Sequence, residues 1–304
     1  MVLDKCRRLA PVLIIAALGC SPVAHPHEAS VPSAPPKPIA IATTSTLASL
    51  VTTVADGHLQ VRSLVPVGAS PETYEPSPQD FVALNEAAVV FENGSGLESW
   101  LSKLLANAKK AQVVVLSDAL PRDVSHPGGE QFTNPHFWLD PHYAALYVDA
   151  IENALASVDP AHAAAYRSNA AAEKKKLRAL DGWITREIAT IPEGQRAMIA
   201  DHDAWYYFDR RYGIEDVGAI ERSPRREPSA ADLAALIAQA RAHHVRAIFA
   251  EPEFSPRLAK QLADSAGIAT VTDLYDDSLG TTPELSTYDG MMRHDVNTIV
   301  QALR

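Results

Sequence analysis

One feature limits the possible folds most: a long unbroken helical pattern lies between two stretches in which short apolar runs alternate with helices. Asp159-Pro160 supplies a capping residue and a first-turn proline, and the pattern runs from Ala161 to about Thr190, with only Gly182 to weaken it. Pro192 ends it. A helix of that length spans about 45 Å, enough to serve as a spine across two lobes. Its charges at Glu173, Lys174, Lys175, Lys176 and Arg178 are expected on a solvated face with no binding role. Before it, strands are expected at Ile39–Thr43, His58–Val65, Ala88–Phe91 and Gln112–Leu116, with helices from Ser45, from Ser77 and over Leu97–Lys109. After it come strands at Arg196–Ala200, near Val217–Ile220, at Arg246–Phe249 and at Thr270–Leu274, again with helices between. Apolar strands alternating with helices read as parallel sheets covered on both faces. The expected fold is therefore α/β, with two lobes of one small parallel sheet each. The lobes are expected over residues 38–158 and 192–304, with the joining helix over 159–191.

The amino terminus has a different grammar. Lys5, Arg7 and Arg8 precede the apolar run Leu9–Leu18, which is too short to span a bilayer and reads as a secretion signal over residues 1–19. Ala17-Leu18-Gly19-Cys20 resembles a bacterial lipoprotein cleavage box, although Leu is more usual three residues before the cysteine. Acylation of Cys20 would anchor the chain to a membrane, and without it the protein would be secreted. Residues 20–37 are rich in Pro, Ala and Ser and read as a tether, in which His25 and His27 are plain linker residues. Loss of the leader removes Lys5, Arg7, Arg8 and Asp4, taking the net charge from −10 to −12. Such an acidic chain without basic runs excludes nucleic acid as a natural partner. Cys6 leaves with the leader, so Cys20 has no intramolecular disulfide partner.

Ligands of open α/β sheets bind beyond the carboxyl ends of the strands. Four such segments carry metal-competent groups: Glu72 in Pro71-Glu72-Thr73-Tyr74, His136 in Asn134-Pro135-His136-Phe137-Trp138, His202 in Asp201-His202-Asp203, and Asp277 in Asp276-Asp277-Ser278. Two imidazoles and two carboxylates, one pair from each half, suit a divalent first-row transition metal. Asn134 or Asp140 could accept the far ring N–H of His136, and Asp276 is placed beside the ligands or facing solvent. Glu75 fits a helix N-terminus. Asp201 and Asp203 read as helix caps, Trp205 to Phe208 as core, and Glu251 and Glu253 as structural, although they too follow a strand. Free histidine titrates near 6.5, so binding would weaken below about pH 6.

From about residue 39 to the end, the chain resembles the cluster A-I (cluster 9) solute-binding lipoproteins that deliver zinc or manganese to bacterial ABC importers. The segments carrying the resemblance are LVPVGASPETYEPSPQD, NGSGLESWL, NPHFWLDP, DHDAWYYFDRRYG, EPSAADL, IFAEPEFSP and DLYDDSLG. The resemblance implies two α/β lobes joined by one rigid helix, with a Zn²⁺ or Mn²⁺ ion as cargo in the cleft. It implies His136, His202 and Asp277 as ligands; Glu72 stands where the family usually has histidine. An ABC permease is the implied partner, the chain a monomer, and its place the periplasm or the cell surface. Zinc-specific relatives often carry a His-rich loop ahead of the NPHFWLDP segment; this chain has only His126 there, which leans towards manganese.

Two other functions would draw on the same residues or surface. A secreted metal-dependent hydrolase would use the same ligands and leave one coordination position open. However, no HExxH, GxSxG or P-loop pattern is present. A surface adhesin would need an exposed patch that sequence does not reveal.

Overall fold

The computed structural model describes residues 37–106, 110–121, 134–221 and 227–304. The leader, Cys20, tether residues 20–36 and His126 lie outside the described residues. No helix among the described residues is long and apolar enough to cross a membrane.

The first lobe runs β1 (Ile39–Ala42), α1 (Ser45–Ala55), β2 (Gln60–Ser63), α2 (Pro78–Glu86), β3 (Val89–Glu92), α3 (Leu101–Leu105) and β4 (Gln112–Val115). Next come α4 (Pro141–Val158) and the long α5 (Ala163–Ile188). The second lobe runs β5 (Ala197–His202), α6 (Tyr206–Tyr212), β6 (Glu215–Glu221), α7 (Ala230–Ala242), β7 (Ala247–Phe249), α8 (Arg257–Ala266), β8 (Ala269–Val271) and α9 (Tyr288–Leu303). Each sheet has four parallel strands, in the orders β2-β1-β3-β4 and β6-β5-β7-β8. In both, the order turns back between the first and third strands of the lobe, so a crevice opens beyond β1/β3 and another beyond β5/β7.

The two lobes also start corresponding helices alike. Ser77 and Ser229 cap α2 and α7, and Asp80 and Asp232 close reciprocal capping boxes. Gly213 and Gly267 end α6 and α8 in the left-handed conformation, with φ of 73° and 77°.

One apolar cluster runs through both lobes. It joins Leu47, Leu50 and Val54 of α1 to Ile151 of α4, Leu177 and Leu180 of α5, Phe208 of α6 and Met291 and Ile299 of α9. Smaller clusters fill the outer faces, around Ile248 and Leu262 in the second lobe and around Val90 and Leu101 in the first. The 26 residues of α5 bury Tyr166, Ala170, Glu173, Leu177, Leu180, Ile184 and Ile188, a stripe at three- and four-residue spacing.

Several elements differ from the sequence expectation. Glu173 belongs to the buried stripe of α5 rather than to its solvated face, and Lys176 lies 3.2 Å from its carboxylate. The long helix opens with a separate 3-10 turn at Pro160–His162, where Asp159 accepts hydrogen bonds from Tyr166 Oη and the His162 ring. The stretch from residue 95 to 100 is a turn, and α3 is short, because Gly94, Ser95 and Gly96 all have positive φ. The strand expected at Thr270–Leu274 is β8, already over at Val271.

Candidate metal centre

The His136 segment is held on every side before it reaches the cleft. Asn134 Oδ1 accepts from the His136 backbone N–H at 3.0 Å and lies 2.8 Å from its ring Nδ1. The Asn134 amide donates to the carbonyl of Asp203 at 2.6 Å, which sets the amide's orientation. Tyr207 donates to Asn134 O at 2.8 Å, and Asn93 donates to Pro135 O at 2.9 Å. Beyond the histidine, Trp138 Nε1 donates to Asp276 O at 2.7 Å, which ties this segment to the loop carrying Asp277.

His202 is the last residue of β5, and its neighbour strand β7 leads directly into Glu251. The crevice between these strands therefore sets the Glu251 carboxylate 2.6 Å from His202 Nδ1. With oxygen atoms behind both Nδ1 atoms, each ring is oriented to hold a proton there and to turn its Nε2 inward. These two Nε2 atoms face each other at 3.1 Å, and Asp277 Oδ1 stands 3.4 Å from that of His136. Two lone pairs at that separation repel unless a proton or a cation lies between them. His136, His202 and Asp277 are all buried, and their donor atoms lie within 4.8 Å of one another. The other Asp277 oxygen accepts from Ser70 at 3.0 Å, and Ser278 Oγ accepts from Gly68 N at 2.7 Å, both across the cleft.

The surroundings are strongly acidic. Burial would depress the His202 imidazole, yet Asp276, Asp277, Glu72 and Asp201 together outweigh it and lift the ring to about 9. Burial raises Asp201 to about 6. It also carries Glu251 well above the usual carboxylate range, and Asp276 likewise with help from the charge of Glu251. Burial would raise Asp277 too, but the His136 hydrogen bond and the charge of His202 hold it low. Behind His202, the Glu251 and Asp276 carboxyls are both buried and press on each other, while Asp277 Oδ1 faces His136. Two converging imidazole nitrogens beside an Asp277 oxygen fit a divalent cation, which would take the place of the proton now required between them.

Residues 41–302 match the family model of ZnuA, the periplasmic component A of zinc-uptake complexes. The chain belongs to this family. It is 34% identical over 272 residues to the manganese-binding lipoprotein MntA of Bacillus subtilis, covering 86% of this chain and 89% of that one. The manganese-binding lipoprotein MntA of Halalkalibacterium halodurans is 32% identical over 263 residues, 85% of this chain and 86% of its own. Among solved structures, the periplasmic zinc-binding protein TroA of Treponema pallidum superposes with a TM-score of 0.81 at 27% identity, over 88% of this chain and 99% of that one. The two-sheet α/β architecture is thus the fold of this family.

Of the residues singled out by sequence, His136, His202 and Asp277 come together. Glu72 stands on the first lobe's loop, partly buried; burial raises its carboxyl, while His136 pulls it down. Asn134 backs His136, whereas Asp140 is engaged elsewhere. It caps α4 through His142 N at 2.8 Å and pairs with Arg211 at 3.2 Å. Asp276 is fully buried and does not face solvent. Sequence reasoning treated Glu251 as structural, but it is the acceptor behind His202. Pairing β5 with β7 would have revealed it, because residues that follow neighbouring strands of a crevice meet.

Proposed function

We propose that this protein captures one divalent transition-metal ion, Mn²⁺ or Zn²⁺, between its lobes outside the cytoplasm and hands it to the permease of an ABC importer. The observation supporting this reading is the 3.1 Å approach of two Nε2 atoms whose Nδ1 atoms are both tied back to oxygen acceptors. His136, His202 and Asp277 are assigned as ligands, with Glu72 completing the set from the first lobe. The relatives' names fit this role, two of them manganese-binding and one zinc-binding. In this reading the ion is cargo and undergoes no reaction, the chain acts as a monomer, and acylated Cys20 holds it at the periplasmic or outer face of a membrane. No observation favours the hydrolase or the adhesin.

The residues divide the work of capture and release. Asn134 and Glu251 fix the tautomers, so that both rings present lone pairs to the ion. Ser70 and the Gly68–Ser278 contact join the loops of opposite lobes, so parting them would expose the ion on one side. Binding one ion at a free concentration 100-fold above its Kd stabilises the fold by about 2.7 kcal/mol. Chelator-stripped protein should therefore melt at a higher temperature with Mn²⁺ or Zn²⁺ added. An unchanged melting temperature with both ions would refute the reading.

A further inference from the structure

Each carboxylate oxygen of Asp277 has its own partner. Oδ1 faces His136 Nε2 at 3.4 Å, and one Asp277 oxygen joins the two imidazoles in the converging donor group. Oδ2 accepts from Ser70 Oγ at 3.0 Å. A carboxylate has no proton to give, so the hydroxyl is the donor. Asp277 follows β8 in the second lobe, whereas Ser70 lies on the first lobe's loop after β2. Gly68 turns that loop with a φ of 82°, and its N–H meets Ser278 Oγ at 2.7 Å beside the Ser70 contact. Ser70 and Asp277 are both buried, so bulk water does not compete for this bond. An ion that draws on both Asp277 oxygens must instead compete with the Ser70 proton for the electrons of Oδ2.

We propose that Ser70 is a specificity-determining residue: by engaging Oδ2 it presents Asp277 as a one-oxygen donor and favours Zn²⁺ over Mn²⁺. This rests on the metal-capture reading above. His136, His202, Glu72 and one Asp277 oxygen give four donors, which complete a zinc shell. Manganese takes six and prefers oxygen, and a carboxylate that binds through both atoms is one way to supply them. Manganese therefore loses more when Oδ2 is occupied. The effect runs against the lean towards manganese read from the loop ahead of NPHFWLDP.

The test is calorimetry with Mn²⁺ and with Zn²⁺ on chelator-stripped wild type, Ser70→Ala, Ser70→Thr and Ser278→Ala. Ser70→Ala frees Oδ2 and should lower the ratio of the Mn²⁺ Kd to the Zn²⁺ Kd about fivefold or more. Ser70→Thr keeps the hydroxyl and should keep the wild-type ratio. Ser278→Ala removes the neighbouring contact to Gly68 without touching the carboxylate, so it should weaken both ions alike. Water-proton relaxation gives a second readout: bound Mn²⁺ should show lower relaxivity in Ser70→Ala, as Oδ2 displaces a coordinated water. A wild-type ratio in Ser70→Ala would overturn the proposal and leave metal capture intact. So would an equal ratio shift in Ser278→Ala, which would assign the effect to loop closure. Failure of wild type to bind either ion would bring down the capture reading, and this proposal with it.

Discussion

The two lobes repeat one strand order, yet the acid at each crevice has a different fate. In the first lobe, Glu98 lies beyond β1 and β3 and is fully engaged. Its Oε1 accepts from Thr43 Oγ1 at 2.6 Å and Asn93 N at 2.8 Å, and its Oε2 from Gly94 N at 3.1 Å. Gly94 has a φ of +83°, and a Cβ there would lie 2.4 Å from Val115, so the turn that presents this N–H depends on glycine. Asn93 then holds Pro135 and thus the His136 segment. In the second lobe, Glu251 lies beyond β5 and β7 with one oxygen on His202 and the buried Asp276 carboxyl, rather than backbone donors, beside it. Equivalent crevices have thus become a satisfied scaffold in one lobe and a half-site in the other. Burial lifts the carboxyl in both, Glu98 to about 7, so a raised pKa alone does not mark the functional one. The converging histidine that it backs does.

The contrast is tested most strongly by removing what the second lobe presents. His202→Ala should weaken Mn²⁺ and Zn²⁺ binding by more than about a hundredfold, beyond the range usual for groups behind a ligand. Calorimetry on stripped protein measures this, and affinity within threefold or so of wild type would detach the crevice from the metal.

A finer test swaps charge for amide at each acid. Glu251→Gln should cost about tenfold in metal affinity and leave the stripped protein at least as stable, since a buried charge disappears. Glu98→Gln should do the reverse. Its amide would face donors already committed to a carboxylate, costing about 1–3 kcal/mol of stability with little change in affinity. Denaturant melts beside calorimetry separate the two, and identical profiles would erase the distinction between scaffold and half-site.

These contrasts also show what the sequence could reveal. The α/β alternation and the long helix were readable because apolar periodicity carries them directly. The His136 segment stood out because prolines and aromatics bracket one imidazole. Glu251 was opaque, because its partner depends on β5 lying beside β7, and strand order is a tertiary fact. Glu173 was misjudged by its charge, although its place in the sequence of Tyr166, Ala170, Leu177 and Leu180 already put it on the buried stripe. Asp140 was misread too. Its Asp-Pro start to α4 is the same cap-and-proline grammar that marks Ser77-Pro78, and an acid capping a helix is not free to back a histidine.

The smallest expected effect is a pH slope. Asp140 and Asp201 at about 6, Glu98 at about 7 and His202 at about 9 all bind protons more tightly folded than unfolded. The stability they contribute is complete below their unfolded values and is lost as pH rises through the folded ones. The lowered carboxyls, Asp159, Asp181 and Asp277, titrate below this window and do not oppose the trend. Metal-free protein should therefore melt lower at pH 8.5 than at pH 5.5, by an amount on the order of a few degrees. With metal present the slope should flatten or reverse, since the ion competes with the same protons, already below about pH 9 rather than pH 6. Scanning calorimetry on both forms reads the two slopes, and parallel slopes would show that the protons and the ion do not share a site.

The most direct measurement is anomalous X-ray diffraction from crystals of stripped protein reloaded with Mn²⁺ or Zn²⁺, collected at the absorption edge of the added metal. One peak should appear within about 2.3 Å of His136 Nε2, His202 Nε2 and an Asp277 oxygen, with both Nδ1 atoms still on Asn134 and Glu251. A peak bound elsewhere, or none at saturating metal, would contradict the account.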